Sequence, residues 1–226
     1  MHVSRIQVDG TSLVGLYILP LRDVVLIGKD LPESTMEIVK EIFNLPVIQT
    51  TIAGTPLLGV FIATDGEKLI VPHIIFDHER KALEKAGIDF EVIESIITCH
   101  GNNLVVTKQG LLANHEYELE AIKKIELFFG KKAVPFDSEE TTNIGSFLAH
   151  NNTHGLVSHD FSEKTIQSIS DVLGLVLTTG TVNMGSTQIK SGIAVNDTGF
   201  IIGEHSGGPE VINADEALGF TDKDDH

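Results

Sequence analysis

The sequence has 226 residues, 42% hydrophobic and 21% charged, enough to bury a core without disulfide or metal staples. Sixteen Lys and Arg against thirty-two Asp and Glu leave a net charge of −16, which excludes a direct grip on free nucleic acid. The single cysteine, Cys99, excludes an intramolecular disulfide framework, and no apolar run has the length of a membrane span or a signal-peptide core, so a soluble, cytoplasmic protein is expected.

The chain opens with Val3–Val8, which reads as a strand. Gly15 then starts a short apolar run. Leu21-Arg-Asp23 reads as the turn before a second strand, Val24–Ile27. From Met36 the apolar period changes from two to about 3.6, and Met36, Val39, Ile42 and Phe43 share one helical face. A third strand, Val47–Thr51, follows. The same order returns from Gly59: a turn at Thr64-Asp-Gly66, strand Leu69–Val71, a helix near Asp77–Ala86 with Asp77 as N-cap, and strand Phe90–Ile96. It returns from Gly101, with a turn at Lys108-Gln-Gly110 and strand Leu111–Ala113. The helix there carries Leu119, Ile122, Ile125 and Phe129, and strand Ala133–Phe136 follows. The fourth copy starts at Gly145, turns at Asn152–Gly155, and continues through strand Leu156–Val157. Its helix is marked by Ile166, Ile169, Val172 and Leu173, and its last strand is Leu175–Thr179. The fifth starts at Gly192, turns at Asn196-Asp-Thr-Gly199, and ends with strand Phe200–Ile202 and helix Pro209–Leu218, with Pro209 in the first turn. Gly87, Gly130, Gly174 and Gly219 fall where helices terminate.

The five leading glycines lie 44, 42, 44 and 47 residues apart by subtraction, the signature of a repeat architecture. The fifth copy lacks its third strand. Val3 stands twelve residues before Gly15, as Val47 stands before Gly59 and Ala133 before Gly145, so strand 3–8 is expected to complete the last unit. The reading is an α/β ring in one domain, residues 1–220, with repeats at about 12–56, 57–98, 99–142, 143–189 and 190–220. Residues 221–226 are expected to form a disordered acidic tail. Pseudo-symmetry gathers the joints 9–14, 52–58, 98–100, 137–144 and 180–186 on one rim. That rim is small-residue rich and nearly uncharged, suited to docking a partner. The last joint measures 17 residues from Leu175 to Gly192 against 12 in the regular units, so it is expected to protrude.

Motifs for chemistry are incomplete. Gly180 and Gly185 have Walker-like spacing, but Ser186 stands where a lysine is needed. Asn196-Asp-Thr-Gly199 lacks the distal glutamate of a calcium loop. Ten histidines include no His-Glu-x-x-His. Cys99 and His100, read as strand neighbours, point to opposite faces, which leaves Cys99 as a small filler. No catalytic residue, metal or cofactor is assigned.

Certain pieces stand in a set order: Ile52-Ala-Gly-Thr, Gly101-Asn102, Gly145-Ser146, Gly155-Leu-Val, Gly180-Thr-Val-Asn183, Gly185-Ser186, Val195-Asn-Asp-Thr-Gly199 and Gly208-Pro-Glu. On a five-fold repeat they resemble the translation initiation factor 6 family, its archaeal branch in particular, over residues 1 to about 220. The resemblance implies a pentein fold, a closed α/β propeller. It also implies a ribosome anti-association factor that binds the large ribosomal subunit as a monomer and prevents joining with the small subunit in initiation and ribosome biogenesis. The implied partner is a basic ribosomal protein near the sarcin–ricin loop, which suits a chain of charge −16. By motif match the resemblance places Asn102, Ser146, Phe147, Val182, Asn183 and Ser186 at the interface. Asn183→Arg is then expected to weaken binding with little change in melting. This chain departs from the pattern at Cys99-His100, Met184 and Asn114-His115. Pentein rings also house guanidino-group-modifying enzymes, amidinotransferases and deiminases, which supply the alternative reading. Their chemistry needs a thiolate in the last repeat, where this chain has no cysteine.

Overall fold

The computed structural model describes residues 1–221, and the expected tail lies outside the described residues beyond Thr221. After β1 (Val3–Ile6), the first repeat runs α1 (Val14–Tyr17), β2 (Ile18–Pro20), β3 (Val25–Ile27), α2 (Glu33–Phe43) and β4 (Val47–Gln49). The second runs α3 (Leu58–Phe61), β5 (Ala63–Thr64), β6 (Lys68–Pro72), α4 (Asp77–Lys85) and β7 (Asp89–Ile93). The third has α5 (His100–Asn103), β8 (Leu104–Val106), β9 (Leu111–Asn114), α6 (Leu119–Phe129) and β10 (Ala133–Phe136). The fourth opens with a 3-10 turn (Ile144–Ser146) and continues as β11 (Leu148–His150), β12 (His154–Ser158), α7 (Glu163–Leu173) and β13 (Val176–Gly180). The fifth has α8 (Ile189–Gly192), β14 (Ile193–Val195), β15 (Phe200–Gly203) and α9 (Gly208–Ala217).

Each repeat builds one three-stranded sheet. A short hairpin pairs the first two strands antiparallel, and the long helix then carries the chain back to lay a third strand parallel to the second. The fifth sheet has the order β14-β15-β1: Val3, Ser4, Arg5 and Ile6 pair in parallel with Phe200, Ile201, Ile202 and Gly203. The seam is stitched further by the His2 imidazole on the Asp215 carboxylate at 2.8 Å, and by Phe220, which stacks on both His2 and Phe200.

Five apolar wedges fill the angles between neighbouring sheets. Adjacent residues of an inner strand serve different wedges, because strand side chains alternate. Ile18 packs with Ala194 and Ile201 of the fifth sheet, while its neighbour Leu19 packs with Leu69 and Val71 of the second. The other wedges join sheets two and three around Ile70 and Leu111, three and four around Leu112 and Val157, and four and five around Leu156 and Ile202. The short helical turns touch in cyclic order, α1 to α3 to α5 to the 3-10 turn to α8 and back to α1. The ring is shut.

Three expectations need correction. The leading glycines do not open strands; each lies second in a one-turn helix that precedes the inner strand. The fifth repeat puts Lys190 at that position, not Gly192, so the structural spacings are 44, 42, 44 and 45 residues. The residue before it is fully buried in all five copies: Val14, Leu58, His100, Ile144 and Ile189. Asp77 is the first helical residue, the N-cap being Phe76. Gly87, Gly130, Gly174 and Gly219 do terminate helices, with φ between 66° and 70°, and Asn44 with φ 50° does the same for α2.

The glycines are required by close approach at the axis. A Cβ on Gly59 would stand 2.1 Å from the Gly15 carbonyl oxygen; on Gly101, 2.2 Å from that of Gly59; on Gly145, 2.3 Å from that of Gly101. These contacts are backbone on backbone, so no side chain can move aside. Gly59→Ala is expected to cost on the order of 4 kcal/mol, lowering Tm by roughly 10 °C or preventing folding. A thermal melt by circular dichroism checks it; an unchanged Tm would mean the axis is looser than this geometry.

Candidate interaction rim

The joints from outer strands to inner turns lie at one end of the ring, beside the N-termini of the long helices. Gly54 in the second joint lies against Phe76, the N-cap of α4, and Met184 in the fifth bonds to Glu210 in the first turn of α9. The hairpin turns lie at the opposite end with the helix C-termini, as the contacts of Thr198 with Ile42 and Phe43, and of Asn151 with Leu218, show.

Three joints share a tight design. Val8 bridges Thr11, Ile52 bridges Thr55, and Val182 bridges Ser186. The first two enclose two residues at positive φ, Asp9-Gly10 and Ala53-Gly54, the geometry of a two-residue hairpin turn. The third encloses three, Asn183, Met184 and Gly185, at φ 52°, 64° and 94°. Counted from the start of the outer strand, Val176 to Lys190 is 14 residues, against 12 from Val3 to Gly15 or Val47 to Gly59. The fifth joint is longer than its relatives by two residues, not five, and its tip, Met184, is 82% exposed.

Two glutamates hold the second and third of these turns. Glu79, third in α4, accepts the Thr51 hydroxyl and the backbone N–H groups of Ala53, Gly54 and Phe76. Glu210, third in α9, accepts the matching set from Thr181, Met184, Gly185 and Gly207. Burial alone would push both carboxyls up. The hydrogen bonds win, and both are held below the usual carboxylate range. Each makes the glutamate half of a capping box, accepting from the N-cap N–H, and also grips the neighbouring joint. Glu118, the N-cap of α6, grips the chain just ahead of the third joint, accepting the Ser95 hydroxyl and the Ile96 N–H.

At the third joint Cys99 and His100 are not strand neighbours; they cap and begin the one-turn helix α5. Cys99 is half-buried and His100 is fully buried, with Nδ1 2.7 Å from the Tyr117 hydroxyl. Burial, with the nearby His73 adding to it, holds the His100 imidazole down at about 4.

The expected interface residues divide by position. Asn102 and Ser146 sit half-buried on adjacent inner turns: a Cβ on Gly145, just before Ser146, would meet the Asn102 carbonyl. Phe147 is half-buried and packs edge-on to Phe161, with ring centroids 5.8 Å apart. Val182 is fully buried in the wedge between sheets four and five, so it offers no surface and serves the fold. Asn183 is tied down. Its amide donates to the Ser12 carbonyl at 2.9 Å, and its backbone N–H donates to the Ser206 hydroxyl at 2.9 Å. It thereby locks the fifth joint to the first across the seam. Ser186 is half-buried, closing the turn through two backbone bonds with Val182.

Beside Met184 the rim displays apolar residues that sequence reading did not single out: Ile96 at 91% exposure, Phe76 at 50% and Leu13 at 38%. The glutamate clamps were legible in principle, since Phe76-Asp-His-Glu79 and Gly207-Gly-Pro-Glu210 have capping-box spacing. Among the described residues no group of three or more His, Cys, Asp or Glu could hold a metal ion, and no helix is long and apolar enough to cross a membrane.

Two stability measurements follow from this end of the ring. Unfolded His100 titrates near 6.5 and folded His100 near 4, so stability is intact above 6.5 and falls as pH drops toward 4. The loss is about 3 kcal/mol from this group alone, and His100→Leu should remove that part of the acid sensitivity in urea unfolding between pH 7 and 4. Asn183→Arg should lower Tm by roughly 8 °C, because it removes the Ser12 bond and strains a residue at positive φ. A shift under about 2 °C would instead return Asn183 to the role of a free contact residue.

Comparison with known proteins places this geometry. A model of the eIF-6 family matches residues 3–217. The translation initiation factor 6 of Thermococcus onnurineus is 27% identical over 98% of this chain and 100% of its own length. Those of Pyrococcus horikoshii and Staphylothermus marinus are 26% and 27% identical, over 97% and 96% of this chain and 100% and 98% of their own. Among solved structures, the N-terminal domain of ArgZ, a cyanobacterial arginine dihydrolase, superposes with TM-score 0.55 at 10% identity over 80% of this chain and 73% of that one. The DDAH of Pseudomonas aeruginosa does so with TM-score 0.50 at 19% identity, over 74% and 68%. These likenesses show the fold, a pentein ring.

Proposed function

The chain belongs to the eIF-6 family, and on that premise we propose that it binds the large ribosomal subunit through the joint rim and bars the small subunit from joining. The observation that carries the placement is a rigid, apolar-studded end: Ile96 and Met184 stand exposed on turns pinned by Glu118 and Glu210. Exposed large side chains on a preorganised backbone lose little entropy on docking, and small residues beside them let a flat partner approach closely. A patch of roughly 800 Å² per partner is enough for a specific complex, and steric overlap accomplishes the rest.

With a net charge of −16, the partner surface is a basic ribosomal protein and not bare RNA, since opposite fields speed encounter and like fields slow it. A protein that acts by occupancy needs no reaction chemistry, and it works as a monomer in the cytoplasm, where subunits join. The likeness to arginine-converting enzymes does not extend to their function. His100 is buried against Tyr117, and the channel on the ring axis holds the Lys190 cation, which repels a guanidinium.

Purified protein should co-sediment with isolated large subunits and lower the joined fraction when small subunits are added; failure of both rejects the proposal. Met184→Glu should weaken that binding about tenfold while moving Tm by less than about 2 °C, because its side chain is exposed and only its backbone is held. Unaltered binding would shift the contact to another part of the ring.

A further inference from the structure

The inner turns and inner strands enclose a cavity of about 290 Å³ on the ring axis, opening toward the hairpin-turn end. Its walls are the inner strands, with Ile18, Leu19, Val105, Leu148 and Ile193 among the lining residues, so most of the lining is apolar. Lys190 lines it at the end formed by the inner turns. The substitution at the repeat position explains how: four copies carry glycine there, leaving the axis open, and the fifth sends a lysine side chain into the space. Its Nζ donates to the carbonyl of Gly101, across the ring, at 2.6 Å.

An ammonium has three protons to donate, and this one spends a single bond. Among the described residues no carboxylate lies within ion-pair distance of it, and burial pulls it down to about 8. His150, also lining the cavity, is held below its ordinary value by burial, with Lys190 adding to the effect and Asp197 opposing it. Its Nδ1 pairs with the Asn151 carbonyl at 2.9 Å. The acids at the mouth are engaged elsewhere: Asp65 with Lys131, Glu67 with Arg22, and Asp197 with Asn152. Lys190 is half-buried with its ammonium in this lining, and a cation drawn from water without a counter-ion among the described residues is costly, since such groups are ordinarily paired.

We propose that the axial cavity is a binding site for a small organic carboxylate with an apolar body, its carboxylate accepting from Lys190 and its hydrocarbon lying against the inner strands. Both halves of the ligand are dictated by the lining. The anion supplies the missing partner for Lys190, and the apolar walls exclude a fully hydrated ion such as phosphate, which would lose its water without repayment. The volume sits at the lower end of ligand pockets, which limits the body to a short aliphatic chain or one ring. Hairpin turns rim the mouth, at the end opposite the joints, so the site can fill without disturbing the interaction rim.

The probes are hexanoate and benzoate, compared with hexanol, chloride and inorganic phosphate, on the full chain. At about ten times Kd either carboxylate should raise Tm by about 3 °C, while the three controls leave it unchanged. In Lys190→Met, which fills similar volume without charge, the Tm without ligand should equal or exceed that of the parent, and the carboxylate shift should vanish. A measurement without any variant checks the same contact: bound carboxylate should raise the titration midpoint of Lys190, followed by the side-chain nitrogen resonance, by about one unit or more. No carboxylate shift up to 50 mM, a shift that survives in Lys190→Met, an unmoved Lys190 midpoint, or an equal effect from phosphate would each overturn the proposal.

Discussion

The backbone contact at the ring axis is the constraint from which the rest of this structure descends. Five sheets can meet around a common centre only if their inner turns pack carbonyl against Cα, and at four of the five positions that leaves no room for a Cβ. Glycine there is a matter of space more than of conformational freedom, since none of the four has positive φ. Once the inner turns touch, the inner strands splay outward as spokes and alternate side chains fall into neighbouring wedges. The apolar alternation that marks each strand thus stabilises two sheets at once. The unit cannot be subtracted without opening a wedge on either side.

The same symmetry gathers the joints and the starts of the long helices at one end of the molecule. A helix start offers unsatisfied N–H groups, and in α4 and α9 the third residue supplies a carboxylate that accepts from the N-cap N–H. In α4 and α9 that carboxylate takes on a second duty, holding the left-handed turn of the adjacent joint through two further N–H bonds. Turns, ordinarily among the more mobile parts of a chain, are here tied by these bonds to the helices they lean on. Rigid turns can carry Met184 and Ile96 in the open without those side chains finding cover within the fold.

Sequence reading recovered the ring because the ring is periodic. The hairpin turns, the helix-terminating glycines and the twelve-residue step from outer strand to inner turn recur, and repetition turns weak local signals into a strong joint one. The same reliance on repetition misplaced the fifth inner turn. Gly192 was the nearest glycine, whereas the chain puts Lys190 at the equivalent position, and that exception is what gives the axis its charge. The site residues were less legible. Val182 and Asn183 are adjacent in a loop, yet one is core and the other spans the seam to Ser12, a partner 171 residues away that no local pattern announces. The exposed apolar side chains were invisible for the converse reason: an isoleucine such as Ile96 in an apolar run reads as strand interior until the run is seen to end at Ile93.

The seam has a consequence for how this molecule comes into being. Val3 finds its partner at Phe200, so β1 must wait for a strand made long after it. During synthesis the four complete sheets can form in turn, but β14 and β15 remain an unfinished blade until residues 200–217 have cleared the exit tunnel, and β1 dangles with its pairing edge bare meanwhile. The final step is therefore a long-range capture, slow by the measure of sequence separation. It assembles the first and fifth joints side by side at the moment the circle shuts, with Asn183 fastening one to the other. A half-built copy thus lacks the paired first and fifth joints, so the rim is the last part of the ring to be completed.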